Sequence, residues 1–286
     1  MHQITLYQVA KNELGNDDLK PLPHISPNDR GLLYGDGLFE TILVKNRKLI
    51  HIDAHIKRMV IGLRRLNIIF KVPSERLIEF INEDVLDSGE RDAVLRISVT
   101  RGQVTGNLGF TDALCPTIIV EIKPLAGDIP NEINIITAAE RRNEFSILSS
   151  IKSLNYLSNL AAKQEANRMN AYDALLLNTK GDIAECTTSN IFAVIQNELV
   201  TPPLEAGILP GITRGVVLSI ANVARIQEST RRITPAELQT ASEIFTTNSI
   251  KGILPVKKWD QFEFAGANGP ITQKLQKLYS AELELA

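Results

Sequence analysis

The hydrophobic pattern of the first half of the chain alternates between short apolar runs and helix-like spacings. Four apolar runs bounded by turn residues predict β-strands. They lie at residues 4–10, 38–44, 93–102 and 117–122. Residues 54–66 and 76–86 instead place apolar side chains three or four positions apart, and this spacing predicts two helices. We expect Asp53 to cap the first helix, because a carboxylate can accept hydrogen bonds from the free amides of a helix N-terminus.

The second half of the chain repeats the alternation of strands and helices. The predicted strands are residues 132–138, 174–177, 191–195 and 242–250, the last running into a polar turn. A polar loop at residues 139–150 follows the first of them, and a helix is predicted from about residue 212 to 224.

Lys152 precedes four apolar residues with the spacing of one helix face. They are Leu154, Leu157, Leu160 and Ala161. The pattern predicts that Lys152 lies at a helix N-terminus beside buried surface. Burial and the positive end of a helix both disfavour an ammonium ion, so this amine could act as a nucleophile toward a carbonyl group. Position alone leaves open the alternative of a solvated lysine that starts a surface helix.

Pro124, Gly127 and Pro130 interrupt the pattern between two predicted strands. Such a composition is typical of an interdomain linker. We therefore predict an N-terminal α+β domain at residues 1–123, a linker at 124–131 and a C-terminal domain at 132–286. The mixture of strands and helices indicates the α/β class.

Composition and charge indicate a cytoplasmic enzyme. Of 286 residues, 44% are hydrophobic and 22% charged, and the formal net charge is −2. This charge does not indicate a nucleic-acid or anionic-membrane partner, and no apolar run approaches the length of a membrane span. Cys115 and Cys186 fit a reducing compartment. His51 and His55 lack the neighbouring glutamate of a metalloprotease motif, so we expect no metal site.

Three features are candidates for binding anionic groups. Residues 207–211 are rich in glycine and precede a helix that opens with Ile212 and Thr213. Free amides, a hydroxyl group and the helix dipole would converge on a phosphate there. Arg58 could also reach a phosphate, although a surface salt bridge is the more common use of such an arginine. Arg96 interrupts an apolar strand and either faces water or serves a pocket.

Five segments carry a resemblance to a known family. They are Tyr-Gly-Asp-Gly-Leu-Phe-Glu-Thr at 34–41, His-Ile-Lys-Arg at 55–58, Ile-Lys-Ser-Leu-Asn-Tyr-Leu at 151–157, Ala-Glu-Cys-Thr-Thr-Ser-Asn-Ile-Phe at 184–192 and Gly-Ile-Leu-Pro-Gly-Ile-Thr-Arg at 207–214. In this order they resemble the class IV aminotransferases, which are fold-type IV pyridoxal-phosphate enzymes. The resemblance covers residues 29–256 and implies a D-amino-acid-aminotransferase-like fold with a C-terminal pseudo-barrel. It also implies pyridoxal 5′-phosphate as the cofactor and a homodimer.

The resemblance implies a role for each matching residue. Lys152 would be the catalytic residue and would hold the cofactor as a Schiff base, while Glu185 would bond the pyridine nitrogen. The implied cofactor-binding residues are Arg58, Lys152, Tyr156, Glu185, Ile212, Thr213, Ser249 and Ile250. The implied substrate-binding residues are Tyr34, Arg96, Arg101 and Asn248. For Tyr156, packing in the core is the alternative to contact with the phenolic oxygen of the cofactor.

The small-molecule amine substrate is indicated by shorter segments. At residues 94–102 and 247–256 the chain resembles the 4-amino-4-deoxychorismate lyases, which form p-aminobenzoate and pyruvate for folate biosynthesis. D-amino-acid transaminases carry an Arg-x-His where this chain has Gly106-Asn107-Leu108, which weighs against them. Branched-chain aminotransferases share the cation at position 96 and remain an alternative, as does a non-catalytic protein that binds the cofactor. Residues 102–114 are a candidate for a loop that closes over the substrate.

Overall fold

The computed structural model of the chain describes residues 2–12, 15–103, 108–109 and 115–285. The chain folds into two compact units. The first is Met1–Gly127 together with Ile151–Asn155, and the second is Asp128–Ser150 together with Tyr156–Ala286. Lys152 thus belongs to the first unit, although the predicted C-terminal domain includes it. The linker at 124–131 stays a prediction, and Gly106, Asn107 and most of the loop at 102–114 lie outside the described residues.

The first unit contains an antiparallel sheet covered by helices. Its strands are β1 (Gln3–Lys11), β2 (Asp17–Pro21), β3 (Gly37–Lys45), β4 (Lys48–Leu49), β5 (Ala93–Thr100) and β6 (Thr117–Pro124). Its helices are α1 (Arg30–Tyr34), α2 (Ile52–Arg65) and α3 (Ser74–Ser88). The order across the sheet is β2-β1-β6-β5-β3-β4. The four strands and two long helices predicted for this half are confirmed.

Alternation along β5 gives this sheet one apolar and one mixed face. Leu95 and Ile97 are fully buried and belong to the same apolar cluster as residues of α2 and α3. Arg96 and Ser98 point the opposite way, because successive side chains of a strand alternate. Ser98 pairs with Phe39 of β3. Phe39 and Arg96 therefore share the face that turns away from the two helices.

Helix α2 begins at Ile52, so the predicted cap at Asp53 is wrong. The residue before the helix is His51, whose backbone is left-handed with a φ of 54°, and no described side chain caps this end. The chain turns at His51 directly after β4, which starts the helix before Asp53 is reached. Asp53 lies in the first turn, where its charge still complements the positive end of the helix dipole.

The segment Ile151–Asn155 lies along the start of β3. The Phe39 amide donates to the Lys152 carbonyl oxygen at 2.9 Å, and the Leu154 amide donates to the Gly37 carbonyl oxygen at 3.0 Å. A Cβ at Gly37 would collide with the Val99 carbonyl oxygen and the Leu154 side chain. Glycine at position 37 therefore lets the Lys152 segment approach the strand.

The second unit contains a mixed sheet and four helices among its described residues. Its strands are β7 (Ile133–Arg142), β8 (Asp173–Asn178), β9 (Ile183–Cys186), β10 (Asn190–Ile195), β11 (Glu198–Thr201), β12 (Glu228–Thr230), β13 (Glu243–Asn248), β14 (Gly252–Trp259) and β15 (Phe262–Glu263). Its helices are α4 (Leu157–Arg168), α5 (Ile212–Val223), α6 (Pro235–Leu238) and α7 (Pro270–Leu285). The order is β12-β11-β10-β13-β14-β7-β8-β9, with β15 on β14. Every residue of β8, β9 and β10 is buried, which is typical of strands that are covered on both faces.

The apolar stripe predicted after Lys152 is wrong. Helix α4 begins at Leu157, five residues after Lys152, and the side chains of Leu157 and Leu160 are 81% and 51% exposed. The buried face carries Ala162 and Ala166, which belong to a cluster with alanines and leucine of β7 and β8. Small side chains let the helix pack closely on the strands, so leucine spacing is misleading here. Lys152 lies in the extended segment before α4 and not at a helix end.

No helix within the described ranges has both the length and the apolar character that crossing a membrane requires.

Candidate active site

Lys152 and Arg96 meet at one aromatic ring of the first unit. Nζ of Lys152 lies 4.4 Å from the centre of the Phe39 ring, and the guanidinium carbon of Arg96 lies 3.7 Å from it. Both distances are within the range of cation–π attraction. Both cationic side chains are half-buried. The structure thus brings together the predicted catalytic lysine and one predicted substrate-binding arginine.

Arg58 is held by a buried carboxylate that sequence reasoning did not identify. Nε and Nη2 of Arg58 donate to Oε1 and Oε2 of Glu40 at 2.8 and 2.6 Å, and Nδ1 of His55 donates to Oε2 at 2.7 Å. Burial by itself would raise the pKa of Glu40, but the hydrogen bonds and charges of His55 and Arg58 outweigh it and lower the pKa to about 2. Glu40 therefore fixes the plane of the Arg58 guanidinium.

Arg101 and Tyr34, which were also predicted to bind substrate, make different contacts from those of Arg96. The Arg101 guanidinium is buried, donates to both carboxylate oxygens of Asp36 at 2.8 and 3.0 Å, and also donates to the carbonyl oxygens of Leu66 and Asn67. These contacts favour a structural role for Arg101. The Tyr34 ring is 44% exposed and lies 4.9 Å from the Arg30 guanidinium carbon.

Glu185 of β9 is buried and receives three donors within the second unit. Nη2 of Arg142 lies 2.9 Å from Oε1 of Glu185. The side-chain amide of Asn190 donates to Oε2 at 3.1 Å, and the Leu209 amide donates to the same oxygen at 3.0 Å. All three groups are donors, and a carboxylate accepts from all of them.

The Asn190 side chain links the glycine-rich segment at 207–211 to Glu185 by hydrogen bonds. The Asn190 side chain donates to Glu185 and also to the Leu209 carbonyl oxygen at 3.0 Å. A Cβ at Gly211 would collide with the Asn190 side-chain oxygen. Glycine at 211 is therefore required for this close approach. Helix α5 follows, and no described side chain caps its first amides at Gly211.

Ile212 and Thr213 open α5 as the sequence predicted. Thr213 and Thr247 are both buried, and neither hydroxyl oxygen makes a hydrogen bond of ordinary geometry to a described residue. Burial raises the pKa of the nearby Tyr279 phenol, and the Thr213 hydroxyl acts in the opposite direction. A buried hydroxyl whose hydrogen bonds are poorly formed costs free energy unless a ligand completes them.

Tyr156 and Asn248 are both engaged in the second unit. The Tyr156 hydroxyl donates to the Thr187 carbonyl oxygen at 3.1 Å, and Asn159 donates to the same oxygen at 2.7 Å. Oδ1 of Asn248 accepts from the amides of Ile250 and Lys251 at 3.0 and 2.8 Å. Asn248 thus shapes the turn that contains Ser249 and Ile250, and its oxygen is committed to this turn.

Residues 37–259 match the amino-transferase class IV family. The match covers more than half of the chain. The chain belongs to this family.

Other members of the class IV aminotransferases differ in the reactions that their names describe. The provisionally named branched-chain-amino-acid aminotransferase of Methanocaldococcus jannaschii is 36% identical over 262 residues, which cover 89% of this chain and 90% of that protein. The D-alanine aminotransferase of Bacillus licheniformis is 31% identical over 249 residues, covering 87% and 88%. The crystal structure of 4-amino-4-deoxychorismate lyase from Pseudomonas aeruginosa is 29% identical, covers 93% of this chain and 97% of that chain, and has a TM-score of 0.84. The predicted fold-type IV architecture is confirmed.

Membership of the class IV family confirms that the chain is an enzyme and that its cofactor is pyridoxal 5′-phosphate. The chain contains groups whose chemistry fits parts of this molecule. The buried Thr213 hydroxyl and the first amides of α5 suit a phosphate group. The amine of Lys152 suits the aldehyde carbon, and the carboxylate of Glu185 suits a protonated pyridine nitrogen.

Sequence reasoning missed four residues that support the predicted ones in this class IV enzyme. They are Glu40, His55 as a partner of Glu40, Arg142 and Asn190. Glu40 and Asn190 lie within the segments that carried the resemblance, so their side chains were available as candidates. Arg142 lay in a predicted polar loop, whereas β7 extends through it. Because the predicted strand ended at residue 138, Arg142 was not recognised as a strand residue whose side chain reaches Glu185.

Proposed function

We propose that this enzyme is a 4-amino-4-deoxychorismate lyase that converts aminodeoxychorismate to p-aminobenzoate and pyruvate. One observation carries the proposal: Lys152 and Arg96 lie against the same Phe39 ring, at 4.4 and 3.7 Å. A base and a carboxylate-binding cation on one face suit a substrate whose reacting ring also bears carboxylates. The resemblance at residues 94–102 and 247–256 supports the choice of the lyase.

The residues that would hold the cofactor are assigned by their chemistry. Lys152 would form the covalent bond to it, and Glu185 would keep a proton on its pyridine nitrogen. Arg58, held by Glu40, would bind the phosphate, and so would the first amides of α5, the Thr213 hydroxyl and the Ser249–Ile250 turn. Tyr156 supports Thr187 and packs nearby. When bound, the cofactor supplies an electron sink for the pair released at the substrate carbon.

Lys152 would perform the proton transfers of the reaction. Its amine, free and neutral once the substrate amine has replaced it, would take the proton from the ring carbon that bears the amino group. The electron pair released then leads to cleavage of the bond to the enolpyruvyl ether oxygen. Lys152 returns the proton to the departing group, which leaves as pyruvate, and the remaining ring is aromatic p-aminobenzoate. Arg96 holds a substrate carboxylate by paired hydrogen bonds and orients the ring.

The lyase activity is tested by supplying the purified enzyme with pyridoxal 5′-phosphate and aminodeoxychorismate. We expect p-aminobenzoate and pyruvate to appear in equal amounts, measured by fluorescence and by coupled lactate dehydrogenase. The Arg96→Leu variant tests substrate binding. We expect its KM to rise about 10- to 100-fold, because the paired hydrogen bonds to the carboxylate are lost. Absence of p-aminobenzoate with the cofactor-loaded enzyme would overturn the lyase assignment.

The 36% identity to the M. jannaschii protein favours a branched-chain aminotransferase as the second candidate. Arg96 is compatible with it, because an amino-acid substrate also carries a carboxylate. The test is transfer of the amino group from leucine, isoleucine or valine to 2-oxoglutarate, with glutamate measured as the product. Glutamate formation without p-aminobenzoate would select this candidate over the lyase.

Lys152 is tested separately from the substrate. We expect Lys152→Ala to abolish the absorbance of covalently held cofactor and to lower turnover about 10⁴-fold or more, because both the covalent bond and the proton transfers are lost. Borohydride reduction of the wild-type enzyme followed by peptide mass spectrometry should locate the label on Lys152. A label on another lysine would contradict the assignment.

We further propose a cytoplasmic homodimer. Light scattering of the purified enzyme tests the dimer, and a mass of a single 31.6 kDa chain would contradict it.

A further inference from the structure

We infer that Arg142 is a positioning residue that holds Glu185 as a carboxylate and sets its direction. The inference rests on the proposed function, because Glu185 is proposed to contact the cofactor. The contact between Arg142 and Glu185 is observed whether or not that proposal is correct. Arg142 itself would touch neither substrate nor cofactor.

The guanidinium of Arg142 is fixed at several atoms within the second unit. Nε donates to the Gly207 carbonyl oxygen at 3.0 Å, and Nη1 donates to Oδ1 of Asn159 at 3.3 Å. Nη2 lies 2.9 Å from Oε1 of Glu185 and 3.4 Å from the Ser149 carbonyl oxygen. The planar fork cannot rotate without breaking these contacts.

Because Arg142 and Glu185 are both largely buried, the carboxylate depends on the arginine for its stability. The side chains of Arg142 and Glu185 are 15% and 6% exposed. A carboxylate this buried is strongly destabilised when its cationic partner is removed, because water cannot replace the lost interaction. Asn190 and the Leu209 amide also donate to Glu185, but both are neutral. The formal positive charge in this set of donors comes from Arg142.

Arg142 also connects Glu185 to the segment before α5. The residue accepting from its Nε is Gly207, which has a left-handed backbone with a φ of 86°, and Leu209 of the same segment donates to Glu185. Arg142 and Glu185 thus contact this segment at two points. Substitution of Arg142 would therefore displace both the Glu185 carboxylate and the segment that precedes α5.

A double-mutant cycle in the full-length enzyme tests the inference. The variants are Arg142→Met, Glu185→Gln and the two combined, with Arg142→Lys as the conservative change. Two quantities are measured: the urea midpoint of the cofactor-free chain and the apparent Kd for pyridoxal 5′-phosphate. We expect Arg142→Met to lower the midpoint and to raise Kd about ten-fold or more. Glu185→Gln in the Arg142→Met background should restore much of the midpoint, because it removes the buried negative charge that Arg142 balances in the wild type. Arg142→Lys should lie between Arg142→Met and the wild type.

The control variant is Arg141→Met. Arg141 is the neighbouring arginine on the same strand, is exposed, and donates to the carbonyl oxygens of residues 138–140. We expect its midpoint and Kd to match those of the wild type. If the effects of Arg142→Met and Glu185→Gln on the midpoint simply add, Arg142 has a packing role and the inference is overturned. If Arg142→Met does not fold, the cycle is run with Arg142→Gln, which also removes the positive charge, and is judged by the same rescue. A wild-type chain that binds no pyridoxal 5′-phosphate would instead overturn the proposed function, and the urea cycle would still decide the role of Arg142.

Discussion

Each unit buries a glutamate against an arginine, and the two pairs have opposite purposes in the proposed enzyme. In the first unit, Glu40 accepts from both Arg58 and His55. In the second unit, Glu185 receives Arg142 together with the neutral groups of Asn190 and Leu209. We propose that the carboxylate of Glu40 holds an arginine for the cofactor phosphate, whereas Arg142 holds a carboxylate for the pyridine nitrogen.

We propose that each ion pair has one residue that holds its partner in place and one that contacts the cofactor. Residue type alone does not show which is which. Glu40 is 1% exposed and is enclosed by the side chains of Arg58 and His55. Such an enclosed carboxylate can act only through its partners. Glu185 has the same chemistry and similar burial, but we propose that it contacts the cofactor directly. Changes in the two glutamates should therefore have different effects on rate, stability and cofactor binding.

The largest difference is expected in turnover. Glu185→Gln should keep the cofactor but lower kcat about 100- to 1000-fold, because glutamine carries no charge to keep the pyridine nitrogen protonated. Steady-state kinetics at saturating cofactor measure this drop. Glu40→Gln should lower kcat much less under the same conditions, and Glu205→Gln, an exposed glutamate, should not change it. Equal losses for Glu185→Gln and Glu40→Gln would refute the division of roles.

The second difference is in the pH dependence of stability. The pKa of Glu40 is lowered from 4.5 to about 2 in the folded chain. A depressed pKa stabilises the folded state above pH 4.5, and this stabilisation is lost as the pH falls toward 2. We expect the free energy of unfolding of the wild type to lose roughly 3 kcal/mol from this group over that window. Urea denaturation between pH 5 and 3 measures the slope, which should be shallower in Glu40→Gln. Identical slopes would show that Glu40 is not the responsible group.

The sequence predicted the functional members of these pairs better than the supporting ones. Arg58 and Glu185 were identified through short motifs, in which the order of residue types carries the information. The partner of Arg58 is Glu40, eighteen positions away on a strand, and pairing at that distance depends on how α2 packs on β3. Local patterns do not encode such packing.

Errors in the predicted elements have the same origin. Leu157 and Leu160 have helical spacing and are exposed, while Ala162 and Ala166 are buried. Spacing identified the helix correctly, but its buried face was decided by how closely α4 approaches the sheet, and small residues permit the closest approach. The face that β5 buries, in contrast, follows directly from alternation, because successive side chains of a strand point to opposite faces.

The third difference concerns recognition of the phosphate. Glu40→Gln should reduce the preference of the enzyme for pyridoxal 5′-phosphate over pyridoxal about ten-fold, because Arg58 is no longer held in one plane. Glu185→Gln should leave that preference unchanged, since its proposed contact is at the other end of the cofactor. Fluorescence titration of the cofactor-free variants with the two compounds gives both ratios. A loss of preference in Glu185→Gln would mean that the two ends of the cofactor are not recognised independently.

The smallest effect is expected at the Thr213 hydroxyl, which we propose to bind the phosphate. Thr213→Val should change the unfolding free energy of the cofactor-free chain by no more than about 1 kcal/mol, because the buried Thr213 hydroxyl makes no ordinary hydrogen bond among the described residues and valine has the same shape. The same variant should weaken binding of pyridoxal 5′-phosphate several-fold while leaving binding of pyridoxal unchanged. Thr213→Ser, which keeps the hydroxyl, is the control. A stability loss well above that limit in the absence of cofactor would mean that the hydroxyl serves the fold, for example through Tyr279, and recognition of the phosphate would then rest on the amides of α5 and on the arginine that Glu40 holds.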